Sequence, residues 1–411
     1  MAPMTLPTFP DSLVQRDAGG RILLLVLDGV GGLPGSDHGQ TELEAARTPN
    51  LDRLAAGSSL GMHHPVAPGV TPGSGPGHLS LFGYDPLVHQ VGRGALSALG
   101  VGFELRAGDL ALRLNLATID AEGRVVDRRA GRPSDEEALQ VVRRLREGVR
   151  LKNERIEFFL EHEKEHRVVL IFRGGRLGEK LRDTDPQEVG VPPLTPRAFR
   201  PDPDPASENT VRVLRDFLDE ARKILKDEPV MNGLLARGFA RYEGFPSFED
   251  RFGLRGAVHA RYPMYRGVAR LVGMEVTGTP STDEEAVGLV ERHFSEYDFH
   301  FLHYKAPDAR GEDGDFAGKV EALEAADAWI PRLRDLEPDV LVVTGDHSTP
   351  ATMGIHSWHA VPLLIHSRWA RPTAEAFGEG ACRTGDLGTI EGRHIMSLAL
   401  AHAGRLKKFG A

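Results

Sequence analysis

The 411-residue sequence contains a single cysteine, Cys382, so no internal disulfide can form and a reducing, cytoplasmic setting is expected. Nor is there an apolar run approaching bilayer-spanning length, which sets aside a helical membrane protein. The first twenty residues lack both a basic n-region and an apolar core, so neither a signal peptide nor an anchor is expected there. Basic blocks are missing too. The formal net charge is -9, and a nucleic-acid partner, which needs a clustered basic stripe, is not expected. What is present, 40% hydrophobic and 27% charged residues, is the balance of an ordinary globular protein. The length exceeds one typical core, so two domains are expected.

The first structural signal is the apolar run Ile22-Leu-Leu-Leu-Val-Leu27, followed at once by Asp28-Gly-Val-Gly-Gly32. Such a run reads as a strand buried on both faces, the mark of a parallel sheet flanked by helices. Thr48-Pro49 then opens a helix, with Thr48 as N-cap and Pro49 at the first helical position. Further strands are expected at 298–304, 339–344 and 361–365. Three of these four strands run into polar residues at their C-terminal ends: Asp28, Lys305-Ala-Pro-Asp308 and Gly345-Asp346-His347. In open α/β sheets that edge binds ligands, although polar residues there also serve as helix caps.

Between these groups, from about 100 to 243, the texture changes to alternating segments (110–118, 166–172) and helical patterns (135–147, 209–225). Because the polar strand ends lie on both sides of it, this stretch is expected to be a second α/β domain inserted into the first. The boundaries drawn are 18–95 with 250–411 for the discontinuous domain and 96–249 for the insertion, with linkers near 91–100 and 243–256. A Pro-rich loop spans 191–205, and its Pro201-Asp-Pro-Asp-Pro205 is expected to be extended and on the surface.

Asp28, Asp308, the pair Asp346-His347 and His356 are spread along the sequence, yet each follows or closely trails an expected strand. Carboxylate oxygens suit hard divalent cations, and Zn²⁺ and Mn²⁺ also accept imidazole. A mixed set with room for two ions suits in-line displacement at phosphorus. Taken singly, each position has a plainer account, such as an Asp-Gly turn or a hydrogen-bonded surface histidine. The remaining candidate is Ser74, in Pro72-Gly-Ser-Gly-Pro-Gly-His78 ahead of helix-compatible sequence. There its hydroxyl would sit at a helix N-terminus that favours a phosphate, and a cation binding its oxygen would lower its pKa. An ordinary Ser N-cap in a glycine loop fits the same residues.

With these residues in place, the sequence resembles the alkaline phosphatase superfamily in Leu27-Asp-Gly-Val-Gly-Gly32, Thr48-Pro-Asn-Leu-Asp-Arg-Leu-Ala55 and Gly345-Asp-His-Ser-Thr-Pro350. Within it, the chain is similar to the archaeal-type cofactor-independent phosphoglycerate mutases. The segments that carry this include Pro72–Pro86, Asp127-Arg-Arg-Ala-Gly-Arg132, Asp183-Thr-Asp-Pro186 and Tyr297–Asp308. The resemblance covers nearly the whole chain. It implies an α/β fold with an alkaline-phosphatase-like three-layer αβα core, which is the metal-binding catalytic domain, and an inserted substrate-binding lid.

The resemblance also implies two divalent metal ions, Mn²⁺ first, with Mg²⁺, Co²⁺ or Zn²⁺ as alternatives. Asp28, Ser74, Asp346 and His347 would hold one. Asp308, His356 and the residue at 312 would hold the other. At 312 the family has histidine and this chain has Glu312. Glutamate there either favours a harder ion or marks a weakened second site. Arg266 stands where relatives carry lysine, and Gln187 where they carry histidine. Arg128, Arg129, Arg132, Asp185 and Arg266 are the implied substrate contacts. The implied reaction is the interconversion of 3- and 2-phosphoglycerate through phosphorylated Ser74. Rivals are a phosphatase or phosphotransferase on another small phosphate ester, and a binding protein with a degenerate second metal site.

Overall fold

The apolar run at the start of the chain folds as β1 (Ile22–Leu27), buried along its whole length in this computed structural model. The structure describes residues 11–35, 39–89, 91–199 and 204–410. The other strands, in chain order, are β2 (Ser58–His64), β3 (Leu110–Ile119), β4 (Val125–Asp127), β5 (Glu157–Lys164), β6 (Arg167–Arg173), β7 (Gly233–Arg241), β8 (Gly256–Ala260), β9 (Glu275–Val276), β10 (Phe299–Tyr304), β11 (Val340–Thr344), β12 (Val361–Ser367) and β13 (Gly388–Glu391). The chain divides into two units, 1–90 with 246–411, and 91–245.

In the first unit, the described strands form an eight-stranded sheet in the order β13-β2-β12-β11-β1-β10-β8-β9. β1 lies parallel between β10 and β11, with Ile22 level with both Phe299 and Val340. That register brings the residues after all three strands to one edge. β12 runs antiparallel to β11, so the segment leading into it, with His356, approaches the same edge. Alternation along the strands divides the core into two faces. Leu23, Leu25, Leu27, Leu302 and Val343 pack on one side with Leu51, Val287 and Leu323 from helices. On the other side Phe301 meets Phe82 at 5.0 Å and Phe299 meets Phe248 at 4.8 Å between ring centroids. Helices thus cover both faces, giving three αβα layers.

Two local expectations are corrected. Helix Pro49–Ala55 begins as read, but Thr48 makes no side-chain cap. The buried Asp327 carboxylate does that instead, accepting from Leu51 N–H at 2.7 Å and Asn50 N–H at 3.1 Å. The segments expected as linkers carry helices, Arg93–Gly100 and Phe248–Phe252. Their Leu96, Phe248 and Phe252 are buried, and this apolar content is what a free linker would lack.

In the second unit, β3 sits between β6 and β7 in an antiparallel sheet, and β4 pairs with its end. Leu110, Leu112, Leu114 and Leu116 join Val168 and Leu170 against helices Asp135–Gly148 and Pro205–Leu225. Ser134 and Glu137 cap the first helix reciprocally. Asp204 caps the second, whose first residue is Pro205. Arg113 and Asn115, the intervening residues of β3, line a cavity outside this core. Of the Pro201–Pro205 segment, residues 201–203 lie outside those the structure describes.

Candidate active site

Asp28 and Asp346 leave the ends of β1 and β11 with both carboxylates fully buried. His347 follows, also fully buried, its Nε2 3.4 Å from Asp28 Oδ1 and 3.3 Å from Asp346 Oδ2. Ser74 Oγ lies 3.4 Å from the same nitrogen. Ser74 is the first residue of helix Ser74–Leu81, with Gly73 at the N-cap, so its side chain does not cap the helix. Gly77 lets that helix approach: a Cβ there would sit 2.3 Å from Asp346 O. Gly29, at φ +64°, performs the same service after β1, where a Cβ would meet Thr349 Oγ1 at 2.6 Å and Asp308 Cβ at 2.8 Å.

Asp308 lies in helix Ala306–Glu312 after β10, buried, and His356 Nε2 is 3.5 Å from its Oδ1. Glu312, at the end of the same helix, places Oε1 3.4 Å from His356 Nε2 with its side chain 54% exposed. His347 and His356 stack at 3.7 Å between centroids. The five residues expected at strand ends therefore meet here with Ser74, and Glu312 stands beside them.

Four further residues take part that sequence reasoning did not single out. Lys305 bridges the clusters, its Nζ 3.3 Å from Asp28 Oδ2 and in a short bond to Asp308 Oδ2. Burial opposes its charge, but Asp28 and Asp308 outweigh that and hold its pKa above the usual lysine value. Its three-residue spacing before Asp308 at a strand end was the available signal. His303 Nε2 donates to Asp28 Oδ2 at 2.9 Å. His78, one helical turn after Ser74, donates from Nδ1 to Ser74 O at 2.7 Å and sits 3.2 Å from Asp346 Oδ2. Thr349 Oγ1 lies 2.6 Å from Asp308 Oδ1 and 2.9 Å from His347 Nδ1.

The donor atoms fit divalent cations. Asp28 Oδ1 and Asp346 Oδ2 are buried and accept no well-aligned hydrogen bond, the His78 Nδ1 proton 3.2 Å from the latter being directed at Ser74 O. Burial works to raise both carboxyls, yet Lys305 and His303 at Asp28, and His347 and His78 at Asp346, keep them ionised. Buried anionic oxygens without donors carry a large desolvation cost unless a cation meets them. Among the described residues, two groups can hold an ion, Asp28 with Asp346 and His347, and Asp308 with His347 and His356. Carboxylate and imidazole together suit Mn²⁺ or Zn²⁺, and carboxylate-rich sets suit Mg²⁺.

Of the residues assigned to substrate, Arg266 belongs to the first unit and Arg128, Arg129, Arg132 and Asp185 to the second. Arg266 is buried and directs Nη1 at the carbonyls of Ala260 (3.0 Å) and Arg261 (2.7 Å), the end of β8. In the second unit, Arg128 grips the buried Asp185 with two bonds of 2.8 Å, and Arg237 adds a contact of 3.3 Å. Arg129 and Arg132 are exposed. Asp127 holds their loop by accepting from Arg129 N–H and Gly131 N–H, both at 2.7 Å. Ala130 and Arg132 there have φ of 45° and 55°, left-handed values that cost non-glycine residues energy and concentrate at functional sites. A cavity of about 340 Å³ is lined by Arg93, Arg113, Arg128, Arg129, Arg167 and Arg237 with His166. Burial lowers the Arg113 pKa, and Arg167, Arg93 and Arg237 add to this against Glu163. Crowded guanidiniums of this kind suit a multiply charged anion.

A family model described as 2,3-bisphosphoglycerate-independent phosphoglycerate mutase matches residues 55–231. A Thermus thermophilus protein named as a probable enzyme of that kind is 51% identical over 396 residues, covering 95% of this chain and 96% of the relative. One from Thermotoga maritima is 48% identical over 404 residues, 98% of each chain. The solved PH0037 protein from Pyrococcus horikoshii is 31% identical with a TM-score of 0.81, covering 96% of this chain and all 100% of that one. The cofactor-independent phosphoglycerate mutase from Thermoplasma acidophilum is 30% identical with a TM-score of 0.72, covering 94% of this chain and 100% of that one. With half its residues shared across almost the full length of its relatives, this chain belongs to the 2,3-bisphosphoglycerate-independent phosphoglycerate mutase family.

Proposed function

We propose that the chain interconverts 3-phosphoglycerate and 2-phosphoglycerate by passing the phosphoryl group through Ser74, in a cytoplasmic setting and with two divalent cations, Mn²⁺ first. The activity is that of a 2,3-bisphosphoglycerate-independent phosphoglycerate mutase, an isomerase. The observation that carries the Ser74 assignment is its Oγ 3.4 Å from His347 Nε2, the nitrogen that also faces Asp28 Oδ1 and Asp346 Oδ2. Asp28, Asp346, His347 and Ser74 would hold one cation, and Asp308, His356 and Glu312 the other. Cations bound there supply charge that stabilises a serine alkoxide and the phosphoryl oxygens.

The chain's own residues do the rest. Ser74 Oγ attacks phosphorus, the bond from phosphorus to the glycerate oxygen breaks, and that oxygen takes up a proton as Ser74 loses one. The reverse step returns the group to the other glycerate hydroxyl. Backbone N–H groups of Ser74 and Gly75, at the start of their helix, face the anion favourably. His78 holds that first turn through Ser74 O, and Lys305 ties Asp28 to Asp308. In the second unit, the arginine cavity would hold the phosphate and carboxylate of phosphoglycerate, with Asp185 orienting Arg128. The test supplies metal-loaded protein with 3-phosphoglycerate and follows 2-phosphoglycerate and free phosphate. The isomer without phosphate is expected. Phosphate alone would replace the mutase with a phosphatase.

A further inference from the structure

His347 stands in both cation groups, but a neutral imidazole has one free lone pair, and its neighbours decide which nitrogen keeps it. Asp308 Oδ1 is an acceptor, so at 2.6 Å the single proton of Thr349 Oγ1 must go to it. Thr349 Oγ1 can then only accept at its 2.9 Å contact with His347 Nδ1, and Nδ1 carries the proton. The free lone pair is on Nε2, which faces Asp28 Oδ1, Asp346 Oδ2 and Ser74 Oγ.

We infer that Thr349 is a positioning residue that sets the His347 tautomer, keeping Nε2 open toward Asp28, Asp346 and Ser74, while the same hydroxyl orients Asp308. His356 is held in the same way. Its Nδ1 donates to Pro72 O at 3.0 Å, and its Nε2 faces Asp308 Oδ1 and Glu312 Oε1. The hydroxyl that directs His347 also orients Asp308, so one side chain sets a ligand in each group. Its backbone is pinned to match: Thr349 N–H donates to Gly31 O at 3.0 Å, and the fully buried Lys319 donates to Thr349 O at 2.8 Å. Outer partners of metal ligands fix the tautomer and orientation of an imidazole in this manner.

The inference rests on the two-cation reading above, and the experiment separates the two. The full chain is labelled with ¹⁵N-histidine, stripped of metal and held in mildly alkaline buffer. Nitrogen–proton correlation spectra then report the His347 tautomer, assigned by its absence from His347→Gln. The Nδ1–H form is expected in the natural protein and in Thr349→Ser, and its loss in Thr349→Val. A His347 Nδ1 without a proton in the natural protein overturns the inference, whatever the protein does with metal. Calorimetric titration with Mn²⁺ adds the second arm. Two ions are expected for the natural protein, with affinity about 10–100-fold weaker in Thr349→Val and restored in Thr349→Ser. Glu312→Gln should bind one ion tightly while its His347 signals stay put, and two ions at undiminished affinity would remove Glu312 from the second cation group. Binding of no ion by the natural protein would overturn the two-cation reading and with it the Glu312 assignment, and the spectra would still decide the role of Thr349.

Discussion

The two acid–histidine groups use the same side-chain types but are built differently. Asp28, Asp346 and His347 follow adjacent parallel strands, and all three are fully buried. Sheet register fixes their separations, so little can vary there without moving the core. Asp308 and Glu312 come from opposite ends of one short helix, His356 from the segment before β12, and Glu312 is half exposed. A ligand position at a solvent-facing helix end can change chemistry while the strand-end position cannot. That is where this chain carries glutamate in place of the histidine its family resemblance implies.

The largest expected effect is on the buried group. Ser74→Ala should lower turnover by ~10⁵-fold or more, the scale seen when a nucleophile that acts as part of a unit is removed. Measurable mutase activity near the natural level would end the assignment. Next comes the tie between the groups. Lys305→Met leaves Asp28 and Asp308 without their buried ammonium, and in chelator its unfolding free energy should drop by about 3–5 kcal/mol. A drop under about 1 kcal/mol in urea titration would mean the two groups are not coupled through Lys305. Asp346→Asn then separates the groups: Mn²⁺ at a hundredfold excess over Kd should stabilise the natural protein by about 2.7 kcal/mol per site. Thermal unfolding should show the variant losing the tighter of the two increments. If Glu312→Gln lost more than Asp346→Asn, the ranking of buried over open site would be inverted.

The same contrast explains what the sequence made legible. Asp28, Asp346 and Asp308 were readable because apolar strands announced their ends, and His356 because it precedes another such strand. β2 and β8 were missed because Ser58-Ser-Leu-Gly-Met-His-His64 and Gly256-Ala-Val-His-Ala260 look polar or small yet are buried. Several of their polar atoms are satisfied internally: Ser58 Oγ donates to Leu54 O at 2.6 Å, and His63 Nε2 lies 2.9 Å from Thr344 Oγ1, while Nδ1 of His63 and of His64 has no hydrogen-bond partner. Burial keeps His63 neutral, pulling its pKa down to about 3. Lys305 and Thr349 also touch near neighbours, Asp308 and His347, but their ties to Asp28 and Asp308, like that of His303 to Asp28, cross the chain, which spacing cannot display. Cys382 was rightly read as unpaired, and burial pushes its thiol up to about 12, so it is unreactive.

The smallest predicted effect bears most directly on the open group. Glu312 Oε1 reaches His356 Nε2 from the exposed end of a helix, so an imidazole at 312 can take its place without disturbing the sheet. Glutamate oxygen favours the harder ions, and imidazole shifts preference toward Co²⁺ and Zn²⁺. Glu312→His should therefore change the Zn²⁺-to-Mn²⁺ affinity ratio of the weaker site by about tenfold, or ~1.4 kcal/mol. The tighter site should not respond, because Thr349 keeps Nε2 of its own histidine open toward it. Competition titrations resolve the two. A shift at the tighter site would mean that the groups share a ligand, and no shift at either would remove Glu312 from the metal centre.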